Sequence, residues 1–97
     1  MSENLHLHLK GEYFREIAAG RKLEEYRAYN QFWRDRLEDR DYDQIFIYLG
    51  YPKADDTERV LIRKWNGCAI KTITHPLFGN EPVNVYAIDV SKRFCDD

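Results

Sequence analysis

The chain is poor in the residues on which several large functional classes depend. Cys68 and Cys95 are its only cysteines, far apart and without the spacing of a redox CxxC or a structural zinc site, so two reduced thiols are expected. Ser2 and Ser91 are the only serines, and neither stands in the setting of a hydrolase nucleophile elbow. Five glycines, at 11, 20, 50, 67 and 79, are scattered singly, which argues against the glycine-rich phosphate cradles of nucleoside triphosphate and dinucleotide sites. No apolar run approaches the roughly 18 residues of a membrane helix. Met1-Ser2-Glu3-Asn4 lacks the basic start and apolar stretch of a signal peptide, so a soluble, cytoplasmic protein is expected. The net charge is only −2, and bulk attraction does not draw such a chain to nucleic acid.

What the sequence does contain suits one core. Ninety-seven residues with 43% hydrophobic and 14% aromatic side chains fill a single domain over 1–97, with a polar tail at about 91–97, and leave no room for two. No repeat, low-complexity tract or linker divides it. Charge is unevenly placed: from Arg59 to Asn80 there is no acid, and the segment carries Arg59, Arg63, Lys64, Lys71 and His75, while acids gather at Asp35 to Asp43 and Asp55 to Glu58. A local basic face follows, with an ordinary solvated strand surface as the alternative.

Periodicity supplies the elements. Leu5, Leu7 and Leu9 alternate with His6 and His8, a half-buried strand over about 4–9. Tyr13, Phe14, Ile17 and Ala18 recur at helical spacing, and Gly20 ends that helix. Lys22 to Arg27 has strand length but a highly charged composition, which burial does not explain. Asn30 N-caps a second helix with Phe32, Trp33 and Leu37 on one face. Gln44 to Leu49 is nearly continuous apolar sequence, a central strand. Asn66-Gly67 predicts a type I′ turn joining strands of about 59–65 and 68–74 into a hairpin, with Lys64 and Lys71 on one face. Val83 to Val90 is the last strand. About six short strands and two short helices give an α+β fold, a small mixed sheet expected to close into a barrel because a chain this size leaves long edges unprotected otherwise.

The segment Gly20-Arg21-Lys22-Leu23-Glu24-Glu25-Tyr26-Arg27 holds the pattern G-x-K-x-x-E-x-R at the exit of a helix and along a strand. Glu25 and Arg27, two apart, project to one face and can pair across a cleft wall, while Lys22 lies where the chain turns and its amine can swing toward Glu25. Such a cluster shifts pKa values and serves acid–base chemistry, or it is a structural ion pair fixing the local backbone.

The pattern resembles the signature of the ASCH domain, a group within the PUA-like β-barrel superfamily. The order of elements is similar along the rest of the chain, ending in the Tyr-bearing strand Val85-Tyr86-Ala87-Ile88. The resemblance implies a barrel with a cleft beside the signature strand, and RNA or a modified nucleoside as ligand. Some small members of the family are amidohydrolases on N4-acetylcytidine, with a G-R-K-x-x-T-x-R signature and a downstream glutamate, and others are described as ribonucleases. Lys22 matches the lysine, Glu25 stands where those amidohydrolases have threonine, and the downstream glutamate has no secure match, Glu58 and Glu81 lying in weakly aligned loops, so the chain departs from the amidohydrolase pattern at both positions.

Three functions from different classes follow. In an RNA-binding module, Arg27 holds a base edge or phosphate, Tyr26 or Tyr29 stacks, and Arg63, Lys64 and Lys71 track the backbone. In a hydrolase, Glu25 is the general base and Lys22 or Arg27 stabilises the developing negative charge. In a protein-interaction domain the same cluster is structural. No metal or cofactor is expected: His6-x-His8 offers two ligands without a third. Cys68 is read as a packing residue, Trp33 and Trp65 as anchors of the core by default, with a ligand as the alternative, and the alternating charges from Arg34 to Asp41 as a solvated helix end and loop.

Overall fold

The computed structural model describes residues 3–50, 60–74, 76 and 79–93, and their six strands and two helices make an α+β fold of two three-stranded sheets. In the first sheet β1 (Asn4–Leu9) runs parallel to β3 (Gln44–Leu49), and β3 is antiparallel to β4 (Val60–Lys64). In the second, β6 (Val83–Asp89) lies between β2 (Glu24–Ala28) and β5 (Cys68–Ile73), all antiparallel. Helix α1 (Gly11–Ala18) and helix α2 (Gln31–Leu37) precede and follow β2.

The core follows from the alternation. Leu5, Leu7, Leu9, Ile45 and Ile47 point inward from the first sheet and meet Tyr86 and Ile88 from the second, with Phe14 and Ile17 of α1 and Leu37 of α2 filling the ends. The alternate residues of the three strands form three cross-strand rows on the outward face: Asn4, Gln44 and Lys64; His6, Phe46 and Ile62; His8, Tyr48 and Val60. β3, paired on both sides, is the central strand its composition predicts.

Helix α1 stops as expected. Gly20 takes φ 82°, a conformation glycine adopts at no steric cost, and Arg21 and Lys22 both donate their backbone N–H to Glu16 O, at 3.0 and 3.1 Å. That wrapped end keeps Lys22 out of the ladder, so the signature strand starts at Glu24, not Lys22. Asn30 caps α2, its side chain accepting from Trp33 N at 3.0 Å.

The expected hairpin is not formed. β4 pairs with β3 and β5 with β6, so the two strands flanking Asn66-Gly67 belong to different sheets. Gly67 has φ 85° but Asn66 does not take the positive φ a type I′ turn needs. The Asn66 amide instead donates to Asp89 Oδ2 at 2.6 Å, and Trp65 N donates to Asp43 O at 3.2 Å. Long-range pairing of β4 with the apolar β3 and of β5 with the apolar β6 outweighs the local turn preference. Lys64 and Lys71 consequently do not share a face.

The ladders leave two open sheets, without the continuous ring of a closed barrel among the described residues. One backbone hydrogen bond, Lys64 N to Lys92 O at 2.7 Å, joins β4 to the segment after β6. At the opposite seam, between β1 and β2, an Arg27 guanidinium nitrogen donates to His8 O at 3.1 Å. Arg59, Glu58, His75, Cys95 and the end of the polar tail lie outside the described residues. Among the described residues no helix is long and apolar enough to cross a membrane.

Candidate functional site

The seam between β1 and β2 is where the charged signature meets the core. Glu25 pairs with Ile88 and Arg27 with Tyr86 across the β2–β6 ladder, so both side chains face inward. Glu25 is 7% exposed. Its carboxylate is held from two sides, by an Arg27 guanidinium nitrogen 3.0 Å from Oε2 and by Lys22 Nζ 3.6 Å from Oε1. Burial pushes the Glu25 carboxyl above its ordinary range, even though Arg27, Lys22 and the Tyr26 backbone N–H all favour the charged form. A buried carboxyl whose pKa is raised, with cations in contact, is a candidate proton acceptor or donor as well as a hydrogen-bond acceptor.

Aromatic rings hold the two cations in place. Lys22 Nζ lies 4.7 Å from the Tyr26 ring centre and 5.6 Å from that of Tyr13. The Arg27 guanidinium stacks 5.0 Å from the Trp33 ring, and its Nε is buried without a hydrogen-bond partner. Such contacts are favourable where water is partly excluded. Burial also raises the Tyr13 and Tyr26 phenols, helped by Glu12 and Glu24 respectively, so both remain hydrogen-bond donors at neutral pH.

A cavity of about 350 Å³ opens beside this cluster, walled by His8, Tyr13, Glu25, Tyr26, Arg27 and Trp33. Tyr13 and Tyr26 also wall an adjoining hollow of about 490 Å³, onto which Lys22, Arg21 and Leu23 open. The first has the mixture of apolar faces and a few convergent polar groups typical of small-ligand sites.

The structure thus gathers Lys22, Glu25, Tyr26 and Arg27. The other candidates lie elsewhere. Tyr29 is exposed, its ring 5.2 Å from that of Tyr86 and 5.4 Å from the Arg34 guanidinium. Arg63 is buried, donating to Ile17 O at 3.4 Å and Ile62 O at 3.1 Å, and burial followed by the nearby Arg93 lowers its pKa. Lys64 sits on the outward face of the first sheet, and Lys71, in the second, pairs with Glu24 at 2.6 Å. Glu81 is exposed in the segment before β6. Cys68 packs half-buried beside the core, and burial, then Glu38, pushes its thiol up.

Sequence reasoning gives Tyr13 only as a helix-face residue, His8 only as half of an incomplete metal pair, and Trp33 as a core anchor by default with a ligand as the alternative, whereas all three wall the cavity. The available signal was chemical type: aromatics with a polar edge on the elements flanking a charged strand tend to stay half-exposed. His8 Nδ1 is 2.8 Å from Gly50 O, and among the described residues no three His, Cys, Asp or Glu side chains gather as a metal-binding group. Comparison of the chain with protein-family models, curated proteins and solved structures finds no match.

Proposed function

We propose that this is a cytoplasmic RNA-binding module of ASCH type, a PUA-like barrel open at the β1–β2 seam, which takes a base of RNA or a modified nucleoside into the cavity beside Glu25. The observation that carries the reading is the buried Glu25 carboxylate, held by Lys22 and Arg27 within a cavity walled by Tyr13, Tyr26, Trp33 and His8. A carboxylate accepts from an exocyclic amine such as cytosine N4, aromatic walls take a base by its faces, and arginine pairs with phosphate or a base edge. Two contacts near the sheet edges, Lys64 N to Lys92 O in the segment after β6 and Arg27 of β2 to His8 O of β1, support the barrel reading, and the G-x-K-x-x-E-x-R pattern supports the family.

Hydrolysis is the second reading, favoured by one observation: the raised Glu25 carboxyl with Lys22 Nζ 3.6 Å away is the arrangement of a general base beside a charge stabiliser. One NMR titration tests both. Isotope-labelled protein is mixed with a short single-stranded RNA carrying N4-acetylcytidine, and amide shifts and free acetate are followed together. Shifts centred on Glu24 to Ala28, Tyr13 and Trp33 without acetate are the expected result, and accumulating acetate moves the conclusion to the amidohydrolase. Absence of shifts at low salt overturns both and leaves the cluster as a structural ion pair.

A further inference from the structure

The outward face of the first sheet carries an array that the cleft does not use. The His6 and Tyr48 rings stack at 5.8 Å and 16°, the His8 and Tyr48 rings at 4.7 Å and 17°, and His6 meets Phe46 at 5.2 Å and 60°. His6 Nδ1 lies 2.9 Å from the Tyr48 hydroxyl, which ties the rings across the parallel β1–β3 pair. None of the nine outward residues is buried, and Ile62, in register with Phe46, is 44% exposed. An aromatic row of this kind left accessible on a sheet is not a core.

Its charge is as distinctive as its rings. The chain has 17 acidic residues, yet among the described residues none of the nine on this face is acidic, and the face carries two imidazoles and Lys64. A surface of flat rings whose described residues include no carboxylate, on a protein with net negative charge, complements a polyanion that presents planar groups at regular intervals. The face is also continuous with the cleft, because His8 both stacks on Tyr48 and walls the cavity.

We infer that this sheet face is a second binding surface, on which the nucleotides flanking the base held in the cleft stack in single-stranded form. The inference rests on the cleft reading and extends it: the ligand is a strand of RNA, and a free nucleoside fills only part of the site. His6 and Phe46 offer ring surface, with Tyr48 stacked between the two imidazoles to hold the row in place, Ile62 an apolar contact, and Lys64 a cation for the backbone.

The test compares cytidine with uridine and cytidine oligonucleotides of increasing length, by titration at low salt, on the wild-type chain and on His6→Ala, Ile62→Glu and Glu25→Gln. The two face variants alter exposed side chains, and circular dichroism checks their fold. Each added nucleotide is expected to tighten binding by at least about fivefold over the first few. His6→Ala and Ile62→Glu should abolish that gain without changing the affinity for cytidine. Cytidine binding with no gain from length, or a gain that survives both face variants, overturns the second surface and leaves the cleft reading standing. Oligonucleotide binding that is lost in Ile62→Glu but indifferent to Glu25→Gln, with no cytidine binding, supports the face and overturns the cleft. No binding of either probe overturns both.

Discussion

Replacing Glu25 with glutamine keeps the shape of the side chain and removes its charge. Arg27 at 3.0 Å and Lys22 at 3.6 Å each attract the carboxylate by about 5 kcal/mol at an effective dielectric near 20. Against this stands the several kcal/mol that each ion loses on leaving water. In this site desolvation of the carboxylate prevails, because its pKa is raised and not lowered. The sign follows from proton linkage. A carboxyl with a raised folded-state pKa holds more protons folded than unfolded between the two pKa values, so its contribution is fully present below the unfolded value, near 4.5, and is lost as pH rises through the folded value. Glu25→Gln cannot titrate, so the stability of the variant relative to wild type should improve steadily from about pH 4 upward until the folded-state pKa is passed. Urea unfolding followed by Trp33 and Trp65 fluorescence over that range measures the difference, and titrations shared by both proteins cancel. A variant that instead falls further behind wild type as pH rises would refute the reasoning, since it would mean that the two cations outweigh burial.

Asn30→Ala removes the cap accepting from Trp33 N and should cost about 1 kcal/mol in urea unfolding. Because Trp33 walls the cleft, the same variant should also change the indole signal on ligand addition. Asn66→Ala deletes the bond to Asp89 and should cost about 1 kcal/mol at neutral pH. Burial alone would raise the Asp89 carboxyl, but bonds from Ser91 and Asn66 hold it below its ordinary range, so the Asn66→Ala deficit should shrink in acid as Asp89 protonates through its depressed pKa. Ile47→Ala, at the wholly buried centre of the first sheet, should cost about 3 kcal/mol, with a loss near zero showing that the core closes around the vacated space.

Elements with strong local periodicity were legible. The alternation of Leu5, Leu7 and Leu9, the apolar run of Gln44 to Leu49 and the Gly20 and Asn30 signals all lie within a few residues of what they specify, and β1, β3 and both helices follow them. Asn66-Gly67 misled because a turn preference is weak beside a strand's choice of partner, and the mixed faces of β4 and β5 do not announce which sheet each joins. The site divides in the same way. Glu25 and Arg27 share a face by the period of two, which sequence spacing shows directly. His8, Tyr13 and Trp33 reach the cavity from three other elements, and only the packing of β1 and both helices around β2 brings them there.

The pairing of β2 has a consequence for how the molecule comes into being. Its ladder partner among the described strands is β6, the last to be made, whereas β1, β3 and β4 are all synthesised before β5 begins. The first sheet can therefore assemble on the emerging chain while Glu25 and Arg27 still lack the strand that holds them. Long-range closure of this kind is slow relative to local structure. The aromatic sheet face would therefore be complete on the emerging chain before the charged cleft is assembled.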